Sequence, residues 1–242
     1  MKILVIGESC KDVFKYGKAE RICPEAPAIV FNPINEDSNG GMAMNVNNNL
    51  ESLGADVTIH TNLNWHEITK TRFVDKKTNY ILLREDNNDT NYGRADVGNI
   101  EYSQYDAIVI SDYNKGFLTE ADIRYVAACH PLVFLDTKKL IGRWCDDIAF
   151  IKINNYELKK VQNISKSLNK KLIITLGPEG AMHRGTIYPV PAVEIKDLSG
   201  AGDTFMSALV IKYVEVHKID DAIRFANECA TKVVQKSGVS VI

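Results

Sequence analysis

The sequence has no paired-cysteine spacing, no long apolar run and no strong excess of either charge. Each absence removes a class of function. Its five cysteines, Cys10, Cys23, Cys129, Cys145 and Cys229, are odd in number and scattered, with no CxxC pair. That argues against a disulfide framework or a zinc ribbon and fits a reducing compartment, so a cytoplasmic setting is expected. The five histidines show no metal-ligand spacing, and His130 (ahead of Pro131) and His217 read as turn and surface residues. A net charge of −2 over 242 residues gives no electrostatic case for nucleic acid or an anionic membrane as partner. No apolar run is long enough to span a bilayer, and the N-terminal Ile3-Leu4-Val5-Ile6 is too short for a signal peptide. No GxxxxGK[ST], Gly-x-Ser-x-Gly or HExxH occurs. Gly7 follows the first apolar run, but the residues after it do not complete GxGxxG.

What is present is an ordinary globular composition, 45% hydrophobic and 25% charged, enough for a substantial core. No repeat or composition shift marks a second folded domain, so 1–242 is read as one α/β domain. The chain is organised around residues 197–204, Asp-Leu-Ser-Gly-Ala-Gly-Asp-Thr. Residues 192–196 before it read as a strand, and the apolar run after it has helical spacing. A glycine turn entering a helix makes an anion site from free N–H groups and the macrodipole. Asp203 stands where that site opens. A carboxylate there is badly placed to hold phosphate and well placed to take a proton from a hydroxyl attacking one. The plain alternative is that Asp203 only N-caps the helix.

Elsewhere, buried strands are followed by polar residues at their carboxyl ends, where α/β sheets place ligands. Asp12 follows the first strand and can accept two sugar hydroxyls, or be a solvated turn residue. Residues 13–37 carry prolines at 24, 27 and 33 and read as a strand–loop–strand excursion. Residues 70–86 alternate in β fashion and are assigned to the same small sheet. Such a sheet would serve as a lid excluding water. Residues 87–99, rich in Asn, Asp and Gly, read as a mobile connection. Asn39-Gly40-Gly41 runs into a helix, with Asn45 offering donor and acceptor together. Residues 119–129 read as a helix with Thr119 and Asp122 as a capping-box variant. Asn154 and Glu157 fit a second such cap. Apolar positions from Ala222 to Val234 mark one face of a last helix, ended by Gly238.

Residues 197–203 resemble the Asp-Thr-x-Gly-Ala-Gly-Asp signature of the ribokinase (PfkB) carbohydrate kinases, with Leu198 replacing Thr. Further stretches follow in family order. Residues 21–27, Arg-Ile-Cys-Pro-Glu-Ala-Pro, and 111–118, Ser-Asp-Tyr-Asn-Lys-Gly-Phe-Leu, are similar to segments of the heptose-7-phosphate kinases of that family. The Asn154/Glu157 pair fits Asn-x-x-Glu, and residues 175–180 fit Thr-x-Gly-x-x-Gly. The resemblance implies a ribokinase-like three-layer α/β/α sandwich with a mainly parallel sheet and a small β lid. Asp203 would be the catalytic base, with Gly200, Ala201 and Gly202 forming the anion hole. Asp12, Gly40, Gly41, Asn45, Asp112 and Lys115 would bind the acceptor. Asn154, Thr175, Gly177, Gly180 and Asn227 would line the ATP site, and Glu157 would support Mg2+.

The implied reaction is transfer of the γ-phosphate of ATP to a sugar or sugar phosphate, first a heptose 7-phosphate at its anomeric position. The alternatives are another sugar or a nucleoside as acceptor, or an inactive sugar- or nucleotide-binding relative. Need for a monovalent cation is left open, and a homodimer through the lids is expected. Two departures stand out. One extra residue separates Gly40-Gly41 from Asn45, so either Gly41 acts as the first glycine or the turn bulges. Residues 61–68 stand where relatives carry a further βα unit of ~30 residues. The sequence carries no nucleotidyltransferase segment before Ile242, so such a step would be expected of a separate protein.

Overall fold

The first strand, β1 (Lys2–Gly7), is a continuous aliphatic run and is buried along nearly its whole length. The computed structural model describes every residue except 163, 237, 239 and 240. In chain order there follow β2 (Lys11–Ile22), β3 (Ile29–Asn39), α1 (Gly41–Ser52), β4 (Asp56–His60), β5 (Thr69–Asp75) and β6 (Ile81–Asn87). Next come β7 (Ala107–Asp112), α2 (Glu120–Cys129), β8 (Val133–Thr137), β9 (Phe150–Asn154), α3 (Asn155–Leu158), α4 (Lys166–Asn169) and β10 (Leu172–Thr175). The chain closes with β11 (Ala181–His183), β12 (Thr186–Tyr188), α5 (Ala201–Val216) and α6 (Ile219–Val233).

Eight strands form the main sheet in the order β12-β11-β10-β9-β8-β7-β1-β4. The six from β10 to β4 are parallel, and β11 and β12 are antiparallel. A parallel sheet needs both faces covered, which explains the unbroken aliphatic runs. Successive side chains alternate faces. Ile3 and Val5 pack with residues of α1, α5 and α6, whereas Leu4 and Ile6 pack with residues of α2 and α4. The result is a three-layer α/β/α sandwich. Because the strands run the same way, their carboxyl ends gather Glu8, Asp112, Asp136 and Asn154 at one edge of the sheet.

A second, four-stranded sheet has the order β3-β2-β5-β6. Three residues separate β1 from β2, so the base of this sheet stands at the carboxyl edge of the main one. Its base is buried (Val13, Phe14, Val74), while Ile22, Ile29 and Leu83 are exposed farther out.

Four expectations are corrected. Residues 192–196 form no strand, because Pro189 and Pro191 lack the N–H groups a ladder needs. Instead the amides of Lys196 and Asp197 donate to the Val234 carbonyl at 2.8 and 3.3 Å. Residues 87–99 are not a loose connection, since Tyr92 and Val97 are core residues and Asp89 is held by three donors. His130 is buried, its Nε2 bonded to the Tyr105 carbonyl and its Nδ1 to the Leu132 backbone. The last helix stops at Val233, five residues before Gly238.

Candidate active site

Helix α5 begins at the central turn. Gly200 is its N-cap, with φ of +80°, a left-handed conformation in which glycine carries no Cβ penalty. Asp203 is therefore not the cap but the third residue of the first turn. Asp197 secures the entry, accepting from the amides of Ser199 at 2.8 Å and Gly238 at 3.1 Å. Gly202 is glycine for another reason. A Cβ there would stand 3.0 Å from Lys152 Nζ. The Ala201 amide turns back to the Leu198 carbonyl at 3.3 Å, and the Gly202 and Asp203 amides have no intrahelical acceptor, the arrangement from which a helix N-terminus can take an anion.

Asp203 is buried. Asn45 Nδ2 donates to one carboxylate oxygen at 3.4 Å and the Tyr113 hydroxyl to the other at 3.3 Å. Burial pushes the carboxyl up to about 6, with Lys152 opposing and Asp136 reinforcing the shift. Such a group is ionised near neutral pH yet basic enough to take a proton. Burial and the neighbouring Asp203 push the Tyr113 phenol well above its ordinary value, so it remains a donor.

On one side of the turn lies a cleft of about 430 Å³. Thr175, Gly177, Gly180, Ala201, Gly202 and Asn227 all line it, with Phe205, Ala230 and Val234 as its apolar wall. Asn227 Nδ2 donates to the Tyr188 carbonyl at 2.7 Å, which fixes the amide at the cleft. Val190 to Val193, irregular rather than stranded, close the outer side.

Asp12, Gly41 and Asn45 do not line this cleft; Asn45 reaches Asp203, and Asp12 stands against Gly41. The residue inserted after the double glycine is housed by a bulge. Gly41 has φ of +49° and Met42 has φ of 50° and ψ of −126°, and regular helix resumes at Ala43. Gly40 keeps an ordinary conformation, and its carbonyl accepts from Cys10 N at 3.2 Å. Asp12 is ion-paired with Arg72. Beyond it, Asp89 accepts from Lys70 and Lys115, each at 2.6 Å, and Arg84 pairs with Asp86. Arg72, Lys70, Lys115 and Arg84 are thus each ion-paired here, and Glu8 and Asp203 add two further carboxyl groups.

Asp112 is a correction. Its side chain is wholly buried and takes Lys139 at 2.6 Å and the Thr137 hydroxyl. Pairing of β7 with β8 brings Thr137 directly opposite it, so its carboxylate anchors a loop and does not face the pocket. Lys115 lies on the acceptor side but is held by Asp89.

Asn154 and Glu157 form a reciprocal capping box at the start of α3. Glu157 is also ion-paired with Lys138, which lies 3.8 Å from Asp136 Oδ1. That oxygen is buried with no hydrogen-bond partner among the described residues. An orphaned carboxylate oxygen beside Glu157 fits a hydrated magnesium ion, which takes few protein ligands and keeps its waters. No group of three or more acidic, His or Cys residues placed to hold a metal occurs among the described residues.

Glu8 and Lys152 had no local sequence signal. Glu8, fully buried, accepts from the amides of Tyr113 and Lys115 at 2.8 and 2.9 Å and so sets the loop that carries Tyr113. Arg72, Asp136 and Lys152 are brought in by the pairing of β5, β8 and β9, and Lys138 by the loop that follows β8.

The family described as pfkB family carbohydrate kinase matches residues 60–241. The chain belongs to this family. Among curated proteins, a bifunctional protein HldE of Helicobacter pylori is 30% identical over 293 aligned positions, covering 98% of this chain. That of a Nitratiruptor species is 29% identical over 291 positions, covering 99% of the chain. The chain spans 64% and 62% of the lengths of these two relatives. Both alignments are longer than the chain's 242 residues, so the relatives carry inserted residues within the matched region. Among solved structures, a ribokinase from Thermotoga maritima superposes with a TM-score of 0.70 at 15% identity, covering 98% of this chain and 94% of that one. A Burkholderia thailandensis nucleoside kinase in complex with inosine gives 0.70 at 17%, covering 98% and 92%. This member of the pfkB carbohydrate kinase family therefore has the ribokinase-like fold. No helix among its described residues is long and apolar enough to cross a membrane.

Proposed function

We propose that the protein transfers the γ-phosphate of ATP to a hydroxyl of a sugar phosphate. What supports this reading is the buried Asp203, hydrogen-bonded to Asn45 and next in the chain to Gly202, which lines the apolar cleft. The cleft suits a nucleotide, with its phosphates directed at the 200–202 turn. Asp12 and Asn45 hold the acceptor. Asp203 takes the hydroxyl proton as the oxygen attacks the γ-phosphorus and the bond to the leaving ADP breaks. The first-turn amides stabilise the charge that spreads over the transferring group. Glu157 would hold magnesium through water, and bound magnesium would screen the phosphate charges.

The ion pairs beside Asp12, of Arg72 with Asp12 itself and of Lys70 and Lys115 with Asp89, supply basic groups that an acceptor carrying its own negative charge could engage. With the segments shared with heptose-7-phosphate kinases, and similarity to the bifunctional HldE proteins, this favours a heptose 7-phosphate phosphorylated at its anomeric carbon. We read the direct passage from β4 to β5 through residues 61–68 as the site of a lost βα unit. The second sheet acts as a lid, and pairing of lids in a homodimer is consistent with its exposed Ile22, Ile29 and Leu83.

The test is ADP release with ATP and magnesium across sugars, sugar phosphates and nucleosides, with the product's phosphate position read by phosphorus NMR. Turnover on a heptose 7-phosphate with a new anomeric phosphate is expected. Turnover confined to neutral sugars or nucleosides would contradict the acceptor class, and binding without any turnover would leave a non-catalytic binder.

A further inference from the structure

Directly beneath the anion turn lies a buried lysine. Lys152 on β9 stands opposite Asp136 on β8, and their side chains are 5% and 10% exposed. An ammonium has three donors. One goes to Asp136 Oδ2 at 2.6 Å, and the other two have no acceptor among the described residues. The glycine turn stands over the buried ammonium, and the missing side chain of Gly202 keeps the space beside Nζ free of carbon. A Cβ at 202 would lie 3.0 Å from Nζ and 3.8 Å from Cε. Burying a charge is costly unless its hydrogen bonds are made. A lysine serving only to pair β8 with β9 would have no need of a glycine above it. The arrangement leaves two donors facing the place where the turn would hold an anion.

We propose that Lys152 is a catalytic residue that donates to the phosphate chain of the nucleotide at the 200–203 turn. It remains an ammonium throughout. The bond from the acceptor oxygen to phosphorus forms, the bond to ADP breaks, the acceptor proton goes to Asp203, and Lys152 moves no proton. Its charge balances the negative charge that the turn's amides alone would have to meet. This rests on the kinase reading above, which Asp203 carries independently.

The test uses ATP and adenosine as probes, with affinities measured by calorimetry in EDTA so that no metal contributes. Lys152→Met and Asp136→Asn break the same ion pair, but only the first removes the cation. Lys152→Met is expected to weaken ATP about tenfold or more, the worth of a charge-assisted hydrogen bond, and to leave adenosine unchanged. Asp136→Asn keeps the cation and removes a negative charge from beside it, so in EDTA it is expected to bind ATP at least as tightly as wild type. In turnover compared on the high-pH plateau, where Asp203 is ionised in both proteins and its own shift is removed from the comparison, Lys152→Met is expected to lower kcat roughly 100-fold with the acceptor KM unchanged, as loss of one preorganised donor does. If Lys152→Met fails to fold because Asp136 is left unpaired, Lys152→Met/Asp136→Asn removes both charges and carries the same expectation. The proposal is overturned if the variants lacking Lys152 bind ATP like wild type. It is also overturned if Asp136→Asn weakens ATP as much as Lys152→Met, or if adenosine is lost in parallel. A wild type that binds ATP but phosphorylates no acceptor would sink the kinase reading and still leave the lysine contact decided by the binding data.

Discussion

The hydroxyl of Tyr113 donates to Asp203 Oδ1 at 3.3 Å, joining a loop after β7 to the first turn of α5 across the site. The bond favours the ionised carboxylate, whereas burial opposes it and sets the group at about 6. A base must be deprotonated to act, so kcat/KM is expected to rise as pH increases through about 6. Tyr113→Phe removes a donor to the charged form and so raises the carboxyl further. Its acid limb should move to higher pH. A limb that stays in place, or moves down, would detach Tyr113 from the base.

Asp12 and Asn45 are placed on the acceptor side of Asp203, away from the apolar cleft. Asp12→Asn keeps the shape but weakens the acceptor for sugar hydroxyls and the pair with Arg72. The acceptor KM is expected to rise at least about tenfold, the scale of one lost polar contact, with the ATP KM unchanged. Steady-state kinetics varying each substrate in turn would check it. An equal rise in both constants would point to a general loss of structure.

Ala230 stands in the wall of the 430 Å³ cleft. Ala230→Phe fills part of that space. The ATP KM should increase by about tenfold or more, while the acceptor KM stays as it was. An unchanged ATP KM would place the nucleotide elsewhere.

Asp112 serves the fold. Its fully buried carboxylate compensates Lys139, so Asp112→Ala strands a charge. A loss of about 3–5 kcal/mol is expected on removing one partner of a buried pair. Urea unfolding would measure it. Near-normal stability combined with a raised acceptor KM would restore Asp112 to the pocket.

How far the sequence carried this site depends on whether the signal is local. The Gly200–Asp203 turn, the Asn154/Glu157 cap and the Thr119/Asp122 cap each depend on residues within a few positions, and all three take the conformations their sequences imply. Asp112 was misplaced because it ends a strand like a ligand-binding residue. Only the β7–β8 register reveals Thr137 and Lys139 closing over it. Lys152 lies between Ile151 and Ile153 in a buried strand, and its partner Asp136 is adjacent only through parallel pairing. Residues 192–196 have strand-like composition, yet two prolines upstream had already ended the ladder. The parallel sheet and its layers were legible because buried strands, helix caps and glycine turns recur in order along the chain.

The most direct test of the central assignment is ADP release by Asp203→Asn beside the wild type, on whichever acceptor the wild type uses, with ATP affinity measured on the same samples. Loss of a positioned base is expected to slow turnover by about 10²–10⁴-fold. ATP affinity should remain within a few-fold, since the carboxylate faces the acceptor. Turnover near the wild-type rate in Asp203→Asn would contradict Asp203 as the base and, with it, the reaction proposed for this site.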